Sequence, residues 1–135
     1  MSKPIPPVSK YMTTNPHTVR PSLTLAEAMQ LMREHQIRHL PVLDGGQLVG
    51  MLSERDIRII ESFKGVDPTK TLVEDAMEQQ VYAVRPGAPL DEVVAEMASK
   101  KYGSAVVMQN LNVVGIFTVV DALNAIAELL HTRLA

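Results

Sequence analysis

Apolar residues recur along this chain in two alternating rhythms. After Pro21, Leu25, Ala28, Met29 and Met32 fall at i, i+3, i+4 and i+7, the spacing of one helix face, and predict a helix over about 25–35. Thr24 with Glu27 supplies a capping box at its start. Short apolar runs follow, His39–Leu43 and Gln47–Leu52, on either side of Asp44-Gly45-Gly46, which predicts a hairpin. A helix over about 54–62 comes next. Phe63–Thr71, with Gly65 and Pro68, breaks the pattern and reads as a connection. The order then repeats. Leu90, Val93, Val94 and Met97 form a second helical stripe, with Pro89 at a first helical position and Asp91 and Glu92 favouring the helix start. Ser104–Met108 and Asn112–Phe117 flank Gln109-Asn110-Leu111, and a last helix is expected from Val119 to about Thr132.

The second half copies the first at an offset of 65 (77 − 12), without a gap. Met12 falls on Met77, Arg20-Pro21 on Arg85-Pro86, Val42 on Val107, Gly50 on Gly115 and Asp56 on Asp121. Each half reads strand, helix, strand, strand, helix, its first strand being the short piece at Thr18–Val19 or Ala83–Val84. The helix that follows makes a crossover, so the first two strands are expected to be parallel. The fold class is α+β, a duplicated β-α-β-β-α unit with pseudo-two-fold packing. One repeat alone is close to the size at which a core fails to offset chain entropy. Two repeats packed on each other avoid that failure. The expected boundaries are 8–63 for the first repeat, 64–73 for a linker and 74–132 for the second. Pro4, Pro6 and Pro7 predict an extended arm ahead of them, outside the sheets.

Composition narrows the function. A formal net charge of −2 lacks the basic excess of a nucleic-acid footprint. With no cysteine, disulfides, thiolate metal sites and cysteine nucleophiles are excluded. No apolar run approaches the roughly 20 residues of a membrane span. The N-terminal stretch does not have the form of a signal peptide, and the expectation is a cytoplasmic protein that binds neither nucleic acid nor membrane.

The chemistry concentrates in a phrase present twice, Gly50-x-x-Ser53-x-x-Asp56 and Gly115-x-x-Thr118-x-x-Asp121, where a strand ends and a helix begins. One reading is structural: Ser53 and Thr118 are good N-caps, and an acid three residues on completes a capping box. The other is functional. A helix N-terminus offers unpaired N–H groups to a phosphate, and the hydroxyl adds a bond. The aspartate can accept two bonds from a ribose diol. On this reading Gly50 and Gly115 let a ligand approach the strand backbone. Duplication of the whole phrase inside a duplicated hairpin favours a ligand site.

These features together resemble a tandem pair of CBS (cystathionine-β-synthase-type) domains, a Bateman module. The resemblance runs from about Val8 to Leu130 and is carried by Met12 and Met77, the Thr18-Val19-Arg20-Pro21 and Ala83-Val84-Arg85-Pro86 segments, Ile37–Val42 and both glycine phrases. It implies a regulatory module, not an enzyme, that senses adenine nucleotides (AMP, ADP or ATP) in clefts between the repeats. S-adenosylmethionine or a related adenosyl compound is the alternative ligand, and no cofactor is required. It implies ribose binding by Asp56 and Asp121, phosphate contacts from Ser53 and Thr118, and adenine contacts around Thr18 and Val19. Ala83 and Val84 hold those places in the second repeat, where a hydroxyl is missing. Pro41 has no counterpart there either, so the two clefts should differ.

Arg38, His39 and Arg55 are candidates for charge-assisted bonds to an anionic ligand. Lys100 and Lys101 suit a helix C-terminus better than a phosphate. His17, His35 and His131 show no ligand spacing, and no metal site is expected. Met29, Met32 and Met97 belong to core stripes, and Glu74 and Asp75 to an early helix turn. Val119, Val120, Leu123, Ile126, Leu130 and Leu134 make the last helix apolar around much of its circumference, which predicts burial by self-association. Ile57, Ile59 and Ile60 in the first repeat suggest the same, giving a homodimer that acts on a further protein. The rival function is an interaction module whose sites are vestigial caps.

Overall fold

A computed structural model describes residues 4–133 and the backbone of Leu134. Met1–Lys3 of the expected arm and the side chain of Leu134 lie outside the described residues. In order, the chain forms a 3-10 turn (Val8–Lys10), β1 (Thr13–Thr14), α1 (Leu25–His35), β2 (His39–Asp44), β3 (Gln47–Ser53), α2 (Glu54–Glu61), α3 (Val73–Ala76), β4 (Ala83–Val84), α4 (Leu90–Lys100), β5 (Ser104–Gln109), β6 (Asn112–Thr118) and α5 (Val119–Leu134).

Two compact units result, and they do not coincide with the sequence repeats. The first is His17–Val81; the second joins the residues up to Pro16 to those from Tyr82 onward. The cause lies in the two methionine phrases. Thr13 and Thr14, which precede the first repeat's strand, pair antiparallel with Ile116 and Gly115 of the second repeat's hairpin. Glu78, one residue after Met77, bridges to Met51 of the first repeat's hairpin. The lead-in of each repeat therefore adds an edge to the other repeat's hairpin.

In the first unit β2 and β3 form the expected hairpin, closed by Gly45 and Gly46 at φ +58° and +84°. Positive φ at both central residues is the turn geometry that matches strand twist. Only Val19 of the expected first strand reaches β2, in a parallel bridge to Val42. Its N–H donates to the Pro41 carbonyl at 3.0 Å and its carbonyl accepts from Leu43 at 2.9 Å. The Thr24–Glu27 capping box is formed in full. The connection after α2 also serves α1: carbonyls of Thr71 and Pro68 accept from Leu25 and Ala26, first-turn N–H groups that have no intrahelical partner. Leu25, Ala28, Met32, Leu40, Leu52 and Ile57 fill the core.

The second unit holds a four-stranded sheet of order β1-β6-β5-β4, with β4 parallel to β5. The hairpin register breaks between Val107 and Met108, the counterpart of the break between Val42 and Leu43. Val8, Leu90, Val93, Met97, Val107 and Phe117 are its core. The proline arm lies outside the named strands but is tied to the start of α4: Pro7 makes an isolated bridge to Pro89, and the Pro6 carbonyl accepts from Leu90 at 2.9 Å. A proline lacks a donor but keeps its acceptor, which is all this contact needs. Pro89 itself stands one place before the helix, at ψ 133°, as its N-cap.

Candidate functional site

Each glycine phrase runs off the end of a strand into a helix. In the first unit Ser53 ends β3 and caps α2. The Ser53 hydroxyl accepts from the Asp56 N–H at 3.1 Å, and Asp56 Oδ2 accepts from the Ser53 N–H at 2.9 Å. In the second unit Thr118 does the same ahead of α5: its hydroxyl accepts from the Asp121 N–H at 3.3 Å, and Asp121 Oδ2 accepts from the Thr118 N–H at 2.9 Å. The capping box that one reading of the sequence proposed is thus present in both copies. It does not exhaust the carboxylates. Asp56 Oδ1 accepts no hydrogen bond among the described residues. Both aspartates and both hydroxyl residues are half-buried.

The hairpin brings further candidates to the α2 end. His39 is the register partner of Ser53. Burial pushes its imidazole pKa down, the Asp56 carboxylate pulls it partly back up, and Arg38 lowers it again. A lowered pKa disfavours the charged form that the charge-assisted bond expected from sequence requires, while the neutral imidazole can still donate or accept. Arg38 is exposed and forms an ion pair with Glu54 at 3.6 Å, and Arg58 pairs with the same Glu54. Arg55, in the first turn of α2, is exposed and makes no hydrogen bond or ion pair among the described residues. Thr18, Val19 and Pro41 lie further along the sheet. Thr18 is exposed and hydrogen-bonds to none of these groups, whereas Val19 and Pro41 are buried.

The corresponding ground in the second unit is almost without charge. Ser104 faces Thr118 where His39 faces Ser53, and Val119 and Val120 replace Glu54 and Arg55. Ala83 and Val84 pair with Val106 and Val107 on β4. Thr13, which the sequence reading passed over, points its hydroxyl at both carboxylate oxygens of Asp121, at 3.4 Å each. Its only sequence signal is its place next to Met12.

One expectation about the site is corrected. Gly50 and Gly115 are approached closely, but by the protein. A Cβ on Gly50 would meet the Met77 sulfur at 2.6 Å and the Glu78 carbonyl at 2.9 Å; one on Gly115 would meet Met12 and Thr13 in the same way. The bare backbone admits a strand and its methionine. His17 and His35, scattered in sequence, stack with centroids 3.7 Å apart. Among the described residues no group of three or more histidines and carboxylates is arranged to hold a metal ion.

The CBS domain family model matches residues 8–61 and 73–128. The chain belongs to the CBS domain family. It is 32% identical over 114 residues to the CBS domain-containing protein YhcV of Bacillus subtilis, covering 84% of this chain and 81% of that protein. Among solved structures, the CBS domain pair of protein MJ0100, in complex with 5′-methylthioadenosine and S-adenosyl-L-methionine, superposes with a TM-score of 0.83 at 28% identity, covering 93% of this chain and 98% of that one. CBSX2 in complex with AMP superposes with a TM-score of 0.76 at 25% identity, over 92% and 98% of the two chains. The CBS pair resemblance seen in the sequence, and its mixed α and β architecture, therefore hold. No helix among the described residues is long and apolar enough to cross a membrane.

Proposed function

We propose that this CBS pair is a regulatory module that senses an adenosyl ligand, an adenine nucleotide (AMP, ADP or ATP) first, without catalysing a reaction. The observation that carries the reading is the duplicated carboxylate at a capped helix start. Asp56 keeps Oδ1 free while the cap spends only Oδ2, which leaves a half-buried acceptor able to take the hydroxyls of a ribose. The Glu54 N–H is taken by the Arg38 carbonyl and the Asp56 N–H by the Ser53 hydroxyl, so the N–H and guanidinium of Arg55, without a partner among the described residues, are what the start of α2 offers a phosphate. Similar CBS pairs solved with AMP or with methylthioadenosine and S-adenosyl-L-methionine support the ligand class.

Signal transfer is assigned to a homodimer. Val119, Leu123, Ile126 and Leu130 recur at i, i+4, i+7 and i+11 on α5 and are 46–59% exposed, a continuous apolar face that a second copy would cover. Ile59 and Phe63 are exposed at α2, whereas Ile57 is buried in the core and takes no part. The apolar face begins directly after Thr118, so ligand at that helix start and partner at that helix face share one element. A ligand shifts such an equilibrium only by binding its two states unequally.

Isothermal titration with AMP, ATP and S-adenosylmethionine tests the reading. Binding that is lost in the Asp56→Ala, Asp121→Ala double variant is the expected result. Heats that survive that double substitution would overturn the ribose role.

A further inference from the structure

The two carboxylates differ in how much of their acceptor capacity the protein already uses, and two donors account for the difference, the Thr118 hydroxyl and, from outside the helix, Thr13. Asp121 Oδ2 accepts from the Thr118 N–H at 2.9 Å and from the Thr118 hydroxyl at 3.1 Å, and the Thr13 hydroxyl reaches both oxygens at 3.4 Å. Among the described residues Asp56 accepts from the Ser53 N–H alone. Thr13 is held in place by backbone pairing, since it is the register partner of Ile116 on β6. The equivalent place in the first unit belongs to Glu78, 65 residues on (78 − 13), which bridges to Met51 through two backbone bonds of 2.9 Å. Threonine has a hydroxyl proton to give to a carboxylate. An ionised glutamate has none to give.

We propose that Thr13 acts as an internal competitor for ligand hydroxyls at Asp121, while Glu78 leaves Asp56 open, so that the two sites fill in order with Asp56 first. The inference rests on the ribose role given above to both aspartates. A vicinal diol entering at Asp121 must take over oxygens that Thr13 now touches. The 3.4 Å contact is long for an O–H···O bond, so it is displaced rather than locked, and its effect is a modest handicap. Displacing it also frees the β1 side chain from the start of α5, which makes the second site the one whose filling alters contacts between a strand and the helix that carries the apolar face.

The test separates the sites by removing one carboxylate at a time and titrates each with AMP and with 5′-methylthioadenosine, which share the diol and differ in charge. In the Asp56→Ala protein, adding Thr13→Val keeps the β-branched shape on β1 and deletes the hydroxyl; both ligands should then bind about three- to tenfold tighter, the effect of one weak hydrogen bond no longer broken on binding. In the Asp121→Ala protein, adding Glu78→Thr should weaken both ligands by a similar factor. 2′-Deoxy-AMP, which has no diol, should be indifferent to Thr13→Val. Binding that depends on Asp121 but is unchanged or weakened by Thr13→Val overturns the competitor role and leaves the ribose reading standing. Binding unaffected by loss of either aspartate overturns the ribose reading and this inference with it. Thermal melts of Thr13→Val and Glu78→Thr that match their parents show that the changes in affinity are local.

Discussion

Met77 packs its sulfur over Gly50, at 2.6 Å from the position a Cβ would occupy there, and Met12 does the same over Gly115 at 2.5 Å. The glycines and the methionines are thus one device used twice. Each pair seats the lead-in of one repeat on the hairpin of the other, which is why the compact units cut across the duplication.

Gly50→Ala forces Met77 and the Glu78 carbonyl away and should destabilise the protein by about 1–3 kcal/mol, the usual cost of overpacking a filled site. Gly115→Ala should behave alike. Because the clash is partly with a flexible side chain, Gly50→Ala should cost less in a Met77→Ala background. Chemical denaturation of the four proteins of that cycle measures the coupling. Strict additivity would show that Met77 is not what the glycine accommodates.

Much of this architecture was legible in the chain because helix and strand periods are local. Leu25–His35 emerged with both predicted ends, and the Thr24–Glu27 box and both hairpins lie where spacing put them. The Ser53–Asp56 and Thr118–Asp121 boxes were legible for the same reason, as a cap spans three residues. The lead-in exchange was not, because Thr13 and Asp121 are 108 residues apart and nothing at either position marks the other. The role of Gly50 was misassigned on the same ground: the sequence shows that something must approach closely, and not what. His39 needed its surroundings as well, since the lowering of its pKa comes first from burial.

The turn between β5 and β6 offers a stabilising change. Asn110 and Leu111 adopt φ +53° and +68°, where the first hairpin uses Gly45 and Gly46. Leu111 is 85% exposed, so its side chain repays little by burial. A β-carbon in the left-handed region costs about 1–2 kcal/mol, part of which glycine returns as unfolded-state entropy. Leu111→Gly should therefore stabilise by about 0.5–1 kcal/mol in urea melts. No gain would mean that the Leu111 side chain has a contact that this chain alone does not reveal.

His39 gives the stability a pH slope whose sign is fixed. Its folded pKa lies below the ordinary 6.5, so as pH falls through 6.5 the unfolded chain takes up a proton before the folded one does. The unfolded state then binds more protons, and stability falls with pH until the folded pKa is reached. Above 6.5 this penalty is absent. Unfolding free energy should thus decline as pH falls through about 6.5, and His39→Gln should flatten the decline. An unchanged slope in that variant assigns the dependence to other groups.

The apolar face of α5 makes the last prediction, and its position in the fold supplies the control. Ile126 is 46% exposed while its neighbour Ala125 is 1% exposed. One faces outward and the other inward. An aspartate at 126 is solvated in the single chain and should change its unfolding free energy by no more than about 0.5 kcal/mol, as surface substitutions do. In a dimer it would bury an unpaired charge in an apolar contact. Ile126→Asp should therefore shift sedimentation at micromolar concentration from dimer to monomer while leaving monomer stability in place. Ala125→Asp, by contrast, should unfold the second unit. An interface of ordinary size removes about 800 Å² per partner from water, so the dimer should persist on dilution until Ile126→Asp breaks it. A monomer for the unaltered protein, with and without nucleotide, would remove both the dimer and the route from ligand to signal through α5.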